Sequence, residues 1–243
     1  MSLVLFSALY GHREPLNTEV FGPFTHVRRV LFTDRTDLIF PGVDIIHLPA
    51  DGLDPARAAR RAKLMPHRFL EEDWSLWLDN KSRLKRDPAE ILAQLQDQSP
   101  SAFFAFPHFR RDCVYQELQT CWENGLDDYR TLKERQRTYR AEGMPEHAGL
   151  IEGHFLLRRH HDPAVAAFGE EWFDHVCRYS RRDQISFPYL AWKRGLDYEL
   201  IRSLDWAATV KHDHLDRANR TPEFPRKHRL WQAARKVWHR LRR

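Results

Sequence analysis

The sequence predicts an α/β domain: a mostly parallel mixed sheet flanked by helices, with a more helical C-terminal part. Three observations support it. Apolar runs of strand length alternate with helical patterns through the first half of the chain. Several helices open at Asp-Pro or at an Asp cap, as at Asp54-Pro55 and Asp162-Pro163. No internal repeat, low-complexity segment or long Gly/Ser linker breaks the pattern.

In chain order, Leu3-Val4-Leu5-Phe6 lies in the first strand, residues 2–8. No positively charged stretch precedes it, so a strand is expected here and a secretory signal is not. Further strands are expected at 28–33 and 43–48, followed by a helix at 54–64. The run Trp74-Ser75-Leu76-Trp77-Leu78 predicts a buried strand at 74–79, with a helix at 88–97 behind it. A strand at 102–106 precedes helices at 112–123 and 127–142. In the second half, 154–158 is the main extended element, and helices are expected at 163–179 and 183–194.

At 243 residues the chain is long enough for one full α/β domain, residues 1–221, with an appendage at 222–243. Its 42% hydrophobic content, with 8 Trp and 15 Phe, is too high for a disordered chain and implies a real core. No apolar run approaches the roughly 18–20 residues of a membrane span. The three cysteines, Cys113, Cys121 and Cys177, lack CxxC spacing, so neither a disulfide framework nor a zinc site is expected, and a reduced, cytoplasmic setting is.

The formal charge of +5 is unevenly spread. Residues 226–243 hold eight of the 39 Lys and Arg and none of the 34 acids, leaving the body at −3 and the tail at +8. A nucleic-acid-binding domain carries a basic face on its folded body, so no nucleic-acid partner is expected. In the tail, Leu230, Trp231, Ala234, Val237, Trp238 and Leu241 fall at helical spacing. This basic amphipathic helix either lies in an anionic membrane surface, placing the protein at the inner face of the membrane, or packs back onto the domain.

Several polar residues stand where apolar runs end, which is where open α/β sheets bind ligands. Asp79 closes the fourth run; a carboxylate there suits a divalent cation held against a diphosphate. Asp34 and Arg35 close the second run, the nucleotide end of such a sheet, although Thr-Asp is also an ordinary turn. On the helix that follows, Arg60 and Lys63 share a face and suit phosphate oxygens, with His67 just beyond; a solvated charged face accounts for them equally. His108 closes the fifth run, and Glu152 faces a cleft only if its strand joins the main sheet. Asp183 heads a helix, as a cap or as a general base, with Gln184 beside it. His212 and His214, two residues apart, are either exposed imidazoles or additions to a metal shell.

The ordered blocks SALYG, VLFTDR, ARRAKLMPH, WSLWLDNK, FPHFRRDCVYQE, GLIEGHFLLRRH and SRRDQISFPYLAW carry a resemblance that runs from about Ser7 to Trp192. The chain resembles the glycosyltransferase-like family once catalogued only as a domain of unknown function, with plant members tied to cell-wall mucilage and one described as an alkaline ceramidase. That family is similar to GT-A glycosyltransferases, so the resemblance implies a Rossmann-like nucleotide-binding domain with an Asp-x-Asp metal element. By that comparison Asp79 matches the first Asp, Asp34 and Arg35 the nucleotide end, Arg60, Lys63 and His67 the donor side, and Asp183 and Gln184 the block near acceptor and reacting sugar.

Position 81 departs from the pattern, since it is Lys. Strand alternation would set Lys81 on the same side as Asp79, so either an ammonium replaces part of a cation's charge or the metal has fewer protein ligands. If a cation binds, Asp79 with His212 or His214 and the diphosphate itself suits Mn²⁺ better than Mg²⁺. The expected function is transfer from a nucleotide sugar, a UDP-sugar first, to a surface glycan or glycolipid. Asp183 is the first candidate base and Glu152 the second. The alternatives are a metal-dependent lipid amide hydrolase of ceramide type and a non-catalytic membrane-surface binding protein.

Overall fold

The computed structural model describes residues 2–212. A seven-stranded mixed sheet forms its centre. In chain order the strands and helices are β1 (Leu3–Leu9), β2 (Arg28–Thr33), β3 (Asp44–His47), α1 (Pro55–Leu64), β4 (Trp74–Leu78), β5 (Ser82–Leu84), α2 (Pro88–Gln98), β6 (Phe103–Pro107), α3 (Val114–Asn124) and α4 (Tyr129–Ala141). They continue with β7 (Ile151–Arg158), α5 (Pro163–Arg178), α6 (Asp183–Arg194), β8 (Glu199–Leu200), α7 (Trp206–Thr209) and β9 (Val210–His212). Every helix and strand expected within the described residues is present. The two-residue β8 and the three-residue β5 and β9 are too short to show a periodicity.

Asp54, Asp87 and Asp162 each precede a proline at the start of a helix, and their carboxylates accept backbone N–H groups of the first turn. This satisfies donors that no intrahelical carbonyl can reach, while the ring fixes the first φ.

The main sheet has the order β3-β2-β1-β4-β7-β6-β8. The pairings among β3, β2, β1 and β4 are parallel, but β7 is inserted antiparallel between β4 and β6. The central strands are apolar on both faces because both faces are covered. Val4, Phe6 and Ala8 of β1 join one core with α1, α3, α5 and α6, whereas Leu5 and Leu9 join the other with α2. Alternation along a strand sends neighbours to opposite faces, so one apolar run serves two cores. Close packing then sets the position of α1: a Cβ on Gly169 of α5 would overlap Leu64 O. Arg158, buried on β7, donates from Nη2 to Lys63 O at 2.6 Å. Among the described residues, no helix is long and apolar enough to cross a membrane.

Candidate active site

One edge of the sheet collects the candidate residues, and strand direction explains why. The carboxyl ends of β1, β2 and β4 reach this edge together because these strands are parallel. Strand β7 runs the other way, so its beginning, Glu152-Gly153-His154, arrives at the same edge beside Asp79. Strand β6 is antiparallel to β7 and therefore ends here at Pro107-His108. Helix α1 enters from this side at Pro55.

At the centre, Lys63 Nζ donates to Asp183 Oδ2 and lies 3.8 Å from Asp79 Oδ1. Arg60 Nε stands 3.4 Å from Asp183 Oδ1, so both cations on the α1 face meet the same carboxylate. Asp79 Oδ1 also accepts from Trp77 Nε1 at 2.9 Å, and its Oδ2 lies 3.6 Å from His154 Nε2. His154 Nδ1 is 3.0 Å from Glu152 Oε2, and Glu152 Oε1 is 3.6 Å from His108 Nε2. The backbone N–H groups of Arg110 and Arg111 both point at His108 Nδ1, which fixes the ring. A continuous series of acids and bases therefore crosses the sheet edge from Arg60 to His108.

The close approach depends on Gly153, where an added Cβ would come within 3.2 Å of Lys63 Nζ and 3.7 Å of Asp183 Oδ2. Gln184 Nε2 donates to Ile151 O at 3.0 Å and ties the start of α6 to the start of β7. Asp183 does not cap α6: the cap position is Arg182, and Asp183 is the first helical residue, its side chain turned to Lys63 and Arg60.

These contacts set the ionisation of the acids. Burial alone would raise the Asp79 carboxyl, but Lys63, His154 and Lys81 together outweigh it and hold it at about 2, against an upward push from Asp183. Burial likewise works against Asp183, yet the Lys63 and Arg60 charges and the Lys63 hydrogen bond drive it well below the ordinary carboxyl range. Glu152 is lowered despite its burial, through the hydrogen bond and charge of His154, the charge of His108 and a backbone N–H from Phe109. Burial is the main cause of the lowered pKa of His108, with Arg111 adding to it against the pull of Glu152.

A cavity of about 390 Å³ opens above Asp79. Arg13, Arg60, Lys63, Lys81, Arg181 and Arg182 line it, against the two acids Glu14 and Asp79. Tyr10 and Pro55 supply apolar wall. Arg182 Nε is buried with no hydrogen-bond acceptor among the described residues. A wall with this balance suits an anion with several oxygens.

The structure places the other expected residues unequally. Asp34 Oδ1 accepts from Gly11 N at 2.9 Å and fixes the loop after β1, while Arg35 is paired with Asp37. Lys81 reaches the cavity, although not by strand alternation: β4 ends at Leu78, Asn80 and Lys81 form a turn, and Lys81 Nζ sits 3.2 Å from Glu14. His67 is not brought to the cavity. It follows the far end of α1, about 15 Å of helix from Pro55, and is held 2.8 Å from Glu170 of α5. The backbone of His212 pairs with Ser82 in β9, while His214, the boundary at 221/222 and the tail lie outside the described residues. Sequence reading passed over His154, Arg13, Arg181 and Arg182 as functional groups. Alternation from Glu152 along β7 was the available signal for His154, but it applies only once β7 is known to border Asp79.

Asp79 and His154 present an oxygen and a nitrogen donor side by side. No group of three or more His, Cys, Asp or Glu gathers as a metal site among the described residues. Asp79 Oδ2 and His154 Nε2 are the oxygen and nitrogen that a cation at this edge could use.

The sheet, with its antiparallel insertion and its ligand-ready edge, defines a GT-A-like fold. The chain matches the TOD1/MUCI70, glycosyltransferase-like domain over residues 44–204 and belongs to that family. It is 32% identical over 143 residues to the probable hexosyltransferase MUCI70 of Arabidopsis thaliana, covering 55% of this chain and 24% of that protein. The chain thus spans well under half the length of that relative. In shape it is similar to mouse xyloside xylosyltransferase 1 in its apo form, with a TM-score of 0.51 and 12% identity over 91% of this chain and 99% of that one, a likeness of fold alone.

Proposed function

We propose that this chain transfers a glycosyl group, a hexose first, from a nucleoside-diphosphate sugar to a hydroxyl of a glycan or glycolipid, with UDP as the favoured nucleotide. The observation that carries this reading is the Asp79–Lys63–Asp183 cluster at the cation-lined cavity of a GT-A-like sheet. Membership in a glycosyltransferase-like family and similarity to a probable hexosyltransferase support it.

In the transfer, the bond from the anomeric carbon to the diphosphate breaks and its electron pair leaves on the phosphate oxygen. Arg60, Lys63 and Arg182 offer positive charge in the place where that negative charge grows. A divalent cation held by Asp79 and His154 would add Lewis-acid charge to the same oxygens. Asp183 is occupied by Lys63 and Arg60, whose charges it balances. Its negative charge holds Lys63 in place at the cavity wall. The acceptor oxygen forms the new bond to the anomeric carbon, and its proton passes to Glu152, backed by His154 and His108.

Calorimetric titration of the protein with UDP, GDP and CMP, with and without Mn²⁺, tests the reading. UDP is expected to bind, and more tightly with Mn²⁺. A folded protein that binds none of the three overturns it. The expected docking of residues 226–243 on an anionic membrane remains a proposal of its own, tested by vesicle sedimentation with and without that segment.

A further inference from the structure

The acceptor side of the sheet edge carries a feature that the donor chemistry does not use. Phe109, directly after His108, is 58% exposed. It is nevertheless braced. Phe155 and Phe106 meet edge-to-face with centroids 5.2 Å apart, Phe106 and Trp206 at 4.8 Å, and Trp206 and Phe109 at 4.9 Å, so an aromatic ladder climbs from the core to the surface. Asp205 caps α7 by accepting from Ala207 and Ala208 N–H groups, which fixes the place of Trp206. His108, the residue directly before Phe109, has its Nε2 3.6 Å from Glu152 Oε1.

From this juxtaposition we infer that Phe109, braced by Trp206, forms with Glu152 and His108 an acceptor subsite whose ligand is a saccharide ring stacked by its C–H face on Phe109. The inference rests on the glycosyltransferase reading above and specifies its acceptor. A pyranose has an apolar face of C–H bonds and a rim of hydroxyls. An exposed, immobilised ring offers the face its partner at little cost in rotamer freedom, and the neighbouring His108 imidazole with its partner Glu152 offers the rim polar groups. His108, adjacent to Phe109 and 3.6 Å from Glu152, keeps the ring and the carboxylate in register, so stacking would present a hydroxyl to the group that takes its proton. An acyl chain would gain the aromatic contact alone and would lie against a carboxylate, with Arg110 next along the chain, neither of which it can satisfy.

The test is saturation-transfer NMR with cellobiose, lactose, maltose, xylobiose and octyl glucoside, on the full chain and on Phe109→Ala and Phe109→Tyr, with UDP calorimetry in parallel. At least one disaccharide is expected to receive saturation mainly on the C–H protons of one ring face. Phe109→Ala should weaken that ligand by about tenfold and Phe109→Tyr by no more than about twofold, with UDP affinity unchanged in both. The inference is overturned if no disaccharide is saturated by protein that binds UDP, if Phe109→Ala keeps the signal, or if the octyl chain is saturated in preference to the sugar ring. Loss of UDP binding by Phe109→Ala would also overturn it, by making the ring structural. Wild-type protein that binds a disaccharide and no nucleotide would defeat the donor reading and leave the saccharide site standing.

Discussion

The two halves of the candidate site are built on different physical principles. On the donor side, around β1, β4 and α1, cations outnumber acids, and the central ones are held by buried or half-buried carboxylates. Lys63 lies against both Asp79 and Asp183. On the acceptor side, around β6 and β7, a carboxylate sits between two imidazoles, and an exposed aromatic ring follows one of them in the chain. The first half suits a multiply charged anion, and the second suits a neutral, hydroxylated ligand whose proton must move. The comparison teaches that charge is divided along the sheet edge: His154 is the junction, facing Asp79 with one nitrogen and Glu152 with the other.

The largest expected effect that would break this division is at Lys63. Replacing Lys63 with Met leaves two carboxylates facing each other without their cation, and removing one member of a buried ion network costs about 3–5 kcal/mol. Urea unfolding is expected to show a loss of that size, and UDP binding should disappear in whatever fraction remains folded. Near-wild-type stability would mean that water or a rearranged Arg60 replaces the ammonium. The division also predicts an asymmetry in acid. Asp79 is held at about 2, below the ordinary carboxyl value, so its ionised form favours the folded state above about pH 4 and that contribution is lost as pH falls through about 2. Thermal melts between pH 5 and 2 should fall less steeply in Asp79→Asn than in the wild type. The smallest effect on binding is expected from Glu152→Gln. Nucleotide affinity should stay within about twofold, while transfer to the acceptor drops by about 10² or more, the usual contribution of a positioned base. Equal losses of nucleotide binding and transfer in that variant would merge the two halves into one.

Much of the site was legible because residues that close apolar runs in an α/β sheet tend to share one edge. Asp79 and His108 could each be picked out on that ground, and the Arg60/Lys63 pair by the helix face it shares. His67 lies only four residues after Lys63, but the turn that begins at Pro66 directs its ring to Glu170 of α5 and not to the cavity. The cap reading of Asp183 failed because an Asp at a helix start has a local explanation, whereas the two cations that claim it lie 120 and 123 residues earlier in the chain.

By itself, the sequence determined where strands and helices form, since periodicity, Asp-Pro starts and apolar runs act over a few residues. Only the tertiary structure decided that β7 runs antiparallel between β4 and β6. That single choice of direction brings Glu152 and His154 to Asp79, and no local signal carries it, because a strand reads the same whichever way its neighbours run.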